Sequence, residues 1–171
     1  MTLTDRDITT VRAQGNAAAL MPVEQPRSIF TLTIERGAET MQLRFVLPVS
    51  PAPKWAGPNL LNACQVLSLP DNWDQQGAPP VDPAIVTRAM NSLATFLSDD
   101  AAIAQWTPTR LAGVQLDWHE KGVDLELSFE PGEKDGYAVF NDYANPGGEW
   151  DGPISAHVEK LSVLFRDRLT S

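Results

Sequence analysis

His119 is the residue around which chemistry is easiest to place. Asp117 and His119 lie two residues apart, and Asp124 and Glu126 follow with the same spacing. In a strand, side chains two apart share one face. Across the turn His119-Glu120-Lys121-Gly122, the second pair falls on the matching face of the partner strand. Carboxylates beside an imidazole can hold a divalent metal or exchange protons with a bound molecule. The same residues also fit a solvated face of a half-exposed antiparallel sheet, or an acidic patch for a basic protein. Directly opposed like charges destabilise a sheet, so wide spacing or an outside partner is needed. Catalysis requires groups converging in a pocket, which alternation alone does not provide. The expectation is therefore no catalytic residue, no metal-ligand set and no cofactor. Asp117, His119, Asp124 and Glu126 are expected to bind a partner. A metal-dependent enzyme or metal-binding protein built on His119 is the alternative.

Two loops carry the other candidates. In Leu69–Pro80, Trp73 sits between Asp71-Asn72 and Asp74, among Pro70, Gly77, Pro79 and Pro80. Trp73 can plug the core while Asp71 and Asn72 bond the loop backbone. With Asp74, it can instead form a binding edge on a stiffened loop. In Asn145–Gly152, Trp150 stands between Glu149 and Asp151. It serves either as an interface aromatic or as packing beneath the final helix.

Familiar catalytic signatures are missing. There is no Gly-x-Ser-x-Gly elbow, no phosphate-binding glycine loop, and His119-Glu120 does not continue into His-Glu-x-x-His. The lone cysteine, Cys64, lies in the apolar run Leu60–Leu67 and reads as a small buried hydrophobe. His157 falls on the last helix, facing solvent or a neighbouring side chain.

The chain has 171 residues with 43% hydrophobic content, enough for one domain. Net charge is −9, and its distribution is uneven. Ten acidic residues against two lysines between Gly113 and Gly152 leave −8 in that stretch. Such a field repels phosphates and attracts basic surfaces, which argues against direct nucleic-acid binding. No run approaches the roughly 20 apolar residues of a membrane span. Residues 1–12 lack the apolar core of an export signal, so the expected compartment is cytoplasmic.

The elements that must position these residues follow from periodicity. Residues 1–26 read as a flexible N-terminal arm, and 27–171 as a single α+β domain. Phe30, Leu32 and Ile34 alternate with polar neighbours, as do Met41, Leu43 and Phe45 after the turn Arg36–Glu39, giving a hairpin. Prolines make 48–58 a connecting loop. Asn59 is expected to cap a short helix ending at Leu69. Asp82 and Pro83 open an amphipathic helix over 83–97, and 98–110 reads as an irregular link. Val114–His119, Val123–Glu130 and Tyr137–Phe140 form a three-strand antiparallel meander. Pro153 opens the last helix. The fold expected is an N-terminal hairpin and this meander packed against two or three helices, with one continuous sheet left open.

The segment Leu69-Pro70-x-x-Trp73-Asp74-x-x-Gly77-Ala78-x-Pro80 and the segment Gly113-Val114-Gln115-Leu116-x-Trp118-His119-x-x-Gly122-x-Asp124-Leu125-Glu126 together resemble a group of short bacterial proteins met in phage and mobile-element settings. The resemblance covers about residues 66–130 and implies no established activity. It points toward antitoxin-like, immunity or anti-defence roles, with a structural or assembly subunit of a phage as a further reading. The partner expected is a basic protein, with neither nucleic acid nor membrane engaged directly.

Overall fold

The computed structural model describes residues 28–47 and 51–170. The expected arm at 1–26 lies outside the described residues, as does the Pro48 end of the first loop. Two antiparallel sheets and three helices make an α+β fold. Strands β1 (Ser28–Arg36) and β2 (Glu39–Leu47) form a separate two-stranded sheet. Their two-residue turn uses Gly37 at φ 60°, where a side chain would be strained. Helices α1 (Ala56–Leu67) and α2 (Pro83–Phe96) follow. Strands β3 (Gln105–Pro108), β4 (Val114–Glu120), β5 (Val123–Phe129), β6 (Tyr137–Asp142) and β7 (Trp150–Pro153) then pair in chain order. Helix α3 (Ile154–Asp167) closes the domain.

The core is one apolar cluster. Leu32, Ile34, Phe45 and Leu47 of the hairpin, Leu60, Val66 and Leu67 of α1, and Val86, Met90 and Leu93 of α2 are buried in it. From the large sheet come Leu116, Trp118, Leu125, Leu127 and Phe129. Helix α1 packs on β1 and β3, while α2 packs on β2, β4, β5 and α3. Helices α1 and α2 therefore lie between the hairpin and one face of the five-stranded sheet. Arg36 ties the hairpin down by donating to the carbonyls of Leu67 and Val81, both at 2.9 Å.

Two expectations are corrected, on the strand count and on Asn59, and the open question of one sheet or two is answered. The meander has five strands, because β3 falls inside the expected link at 98–110 and β7 inside the expected loop. Each is four residues long, too short to show alternation, and each draws its hydrogen bonds from a longer neighbour. The hairpin and meander are separate sheets. Asn59 does not cap α1, which begins at Ala56. Fully buried, Asn59 donates to the Trp55 carbonyl and accepts from the Trp106 indole at 2.9 Å and the Ala104 amide at 3.3 Å. Tertiary demand for a polar hub overrides its capping preference. Asp82 caps α2 as expected, accepting from the Ala84 amide at 2.8 Å.

Candidate functional site

The alternation that buries Leu116, Trp118, Leu125 and Leu127 turns their neighbours to the other face of the large sheet. Among the described residues, no helix packs there, and α3 meets the large sheet on the Trp118 and Trp150 face. Register then assigns the rows. Asp117 stands opposite Glu126 and His119 opposite Asp124. Gln105 flanks Asp117 on β3, Val139 flanks Glu126 on β6, and Asp151 extends that row on β7. The structure thus brings together all four candidates from the β4–β5 hairpin. Between Gln105 and Pro153, no lysine or arginine occupies a position on this face.

The carboxylates differ in environment. Asp117 is buried, and its Oδ1 accepts from the Gln115 amide at 2.9 Å. Glu126 is half-buried, and burial, then the charge of Asp117, pushes its carboxyl above the usual range. Asp124 holds the His119 imidazole at 2.8 Å and accepts a hydrogen bond from the Tyr143 hydroxyl. A carboxylate only accepts, so Nδ1 of His119 donates and Nε2 is left for solvent or a partner. The bond to Asp124, with the charges of Asp124, Asp117 and Glu126, raises the imidazole above its ordinary 6.5. The Tyr143 and His119 bonds lower Asp124 below 3.8. Among the described residues, no three His, Cys, Asp or Glu side chains converge as a metal-binding group.

Sequence reasoning missed Tyr137, Tyr143 and Asp151. These are the chain's two tyrosines and an acid, and both hydroxyls bond carboxylates: Tyr137 to Asp151, Tyr143 to Asp124. The alternation of Tyr137 with Ala138 was the available signal for the first. Asp151 carries none, because β7 is only four residues long and shows no alternation.

The loop candidates go elsewhere. Trp73 donates its indole N–H to the Pro79 carbonyl at 3.1 Å. Asn72, at φ 57°, accepts from the Gly77 amide at 2.6 Å. Asp74 accepts from the Ala78 and Gln76 amides and pairs with Arg110 at 2.8 Å, which together lower its pKa. Asp74 is therefore committed to fixing the loop. Trp150 lies on the opposite sheet face from Asp117. It stacks on Phe140 with centroids 5.2 Å apart, contacts the His157 ring at 4.5 Å and sits under the Lys160 ammonium. His157 bonds the Asp151 carbonyl through Nε2 at 3.1 Å. Cys64 is buried, and desolvation raises its thiol pKa, as suits an inert core residue. No helix among the described residues is long and apolar enough to cross a membrane.

Compared with known proteins, this chain matches no family model, no curated protein and no solved structure.

Proposed function

We propose that this chain is a non-enzymatic binding module whose acidic sheet face engages a basic protein. The observation that carries this reading is the face itself: Asp117, Glu126, Asp124 and Asp151 stand on it, with His119 as the one basic group among its described strand residues. The directly opposed Asp117 and Glu126 repel each other, and an arriving guanidinium or ammonium relieves that cost. Tyr137 and Tyr143 contribute contact area at low conformational cost, as aromatics do in protein interfaces. A partner whose own basic site ordinarily takes phosphate fits this chemistry, consistent with an antitoxin-like, immunity or anti-defence role in the cytoplasm.

The test is capture of a partner by the tagged protein from host lysate, at low and moderate salt, alongside a variant. Asp124→Lys with Glu126→Lys leaves buried Asp117 in place. The expected result is a stoichiometric basic protein, released as salt rises and captured at least tenfold less by the variant. Equal capture by the folded variant overturns the proposal.

A further inference from the structure

The two sheets treat their edges differently. An edge strand exposes unpaired N–H and C=O groups, and proteins blunt such edges with short strands, prolines or charges. The large sheet does so at both ends. Edge strands β3 and β7 are four residues long and contain Pro108 and Pro153, respectively. The β1–β2 sheet does not. Its strands are nine residues each and pair without a bulge from Ser28↔Leu47 to Arg36↔Glu39. From Ile29 to Ile34, β1 has no charge, proline or glycine. Among the described residues, no strand covers its outer edge.

The sequence of this edge is close to a palindrome. Phe30-Thr31-Leu32-Thr33-Ile34 reads almost the same in reverse. A two-fold contact requires each residue to meet its own counterpart's position, so a self-complementary strand suits a second copy. Antiparallel pairing centred on Leu32 places Phe30 beside the partner's Ile34 and Thr31 beside the partner's Thr33. Every inward apolar residue stays on the inward face, and threonine meets threonine. Parallel pairing would instead set Glu35 and Arg36 beside their own copies.

Charge points the same way. The chain carries −9, yet Ser28–Leu47 holds two glutamates and two arginines and is neutral. Here a second copy meets no net repulsion, unlike on the acidic face. We infer that two copies of this chain associate through antiparallel β1–β1 pairing about Leu32, joining their hairpins into one four-stranded sheet. This contact is independent of the acidic face.

Two variants at the exposed positions Thr31 and Thr33 test it by sedimentation velocity across a concentration series. Thr31→Glu/Thr33→Glu places like charges opposite each other across the two-fold axis. Thr31→Glu/Thr33→Lys places opposite charges there, and in both variants Glu at position 31 faces Arg44 within the hairpin. The expected result is a reversible wild-type dimer, strengthened by moderate salt. It weakens at least tenfold in the Glu/Glu variant and persists in the Glu/Lys variant, with both melting like wild type. A wild type that stays monomeric throughout the series overturns the inference. So does a dimer indifferent to both variants, or one lost equally in both.

Discussion

Asp124 serves two neighbours at once, and its link to His119 has a definite pH signature. The imidazole pKa is raised in the fold, so its contribution is fully present below about 6.5 and is lost as pH rises through the folded value. Asp124 is lowered, so its contribution is present above 3.8 and is lost as pH falls through its folded value. The pair therefore acts between these limits. His119→Ala is expected to lower the urea midpoint at pH 5.5 and leave it nearly unchanged at pH 9. Because the His119 side chain is 60% exposed, solvent screening holds the effect to about 0.5 kcal/mol or less. Equal loss at both pH values would assign His119 a packing role instead. That His119 and Asp124 share a sheet face was legible from two-residue spacing around a short turn, whereas their direct pairing was set by the β4–β5 register. The Tyr143 bond was not legible, since it comes from beyond the end of β6.

At the scale of elements, α1 and β3 are joined through one buried side chain. Asn59→Ala removes the acceptor for the Trp106 indole and the Ala104 amide, leaving buried donors unpaired. The expected cost is about 3 kcal/mol by urea unfolding, and a loss below about 1 kcal/mol would show that water replaces the amide. The junction of β6 with α3 is equally tight. A Cβ at Gly136 would lie 2.6 Å from both Ile154 Cδ1 and Phe129 Cε1. Gly136→Ala is expected to destabilise by roughly 1–3 kcal/mol through overpacking, read as a lower thermal midpoint. Asp82-Pro83 announced α2 because capping is local, whereas the edge strands β3 and β7 were hidden because their pairing is not.

For the whole molecule, the C-terminal segment is clamped to the large sheet. Arg168 pairs with Asp142 and also donates to the Lys121 carbonyl, while Lys121 reaches the Thr170 carbonyl at 2.9 Å. Lys121 itself sits at φ 50°, beside Gly122 at φ 75° in the β4–β5 turn. The clamp thus supports a turn conformation that a lysine adopts reluctantly. Arg168, then Asn145, holds the Asp142 carboxyl down at about 2. A depressed carboxylate contributes stability above its unfolded value of 3.8, lost as pH falls toward about 2. Asp142→Asn is expected to lower the urea midpoint at pH 7 and to flatten its decline between pH 4 and 2. An unchanged acid limb would show that Arg168 finds another partner.

The amino-acid sequence by itself determined the class of the fold, the two faces of each long strand, the cap of α2 and the concentration of acid in one stretch. These are local or compositional properties, set by a period of two, by the fixed φ of proline and by counting. Only the tertiary structure decided that Asp117 meets Glu126, that the sheets are separate, that Asn59 is a buried hub and that Trp150 faces away from the acids. Each depends on hydrogen bonds and packing between segments distant along the chain. Their energy is realised when a register is chosen, and spacing along one strand does not encode that choice.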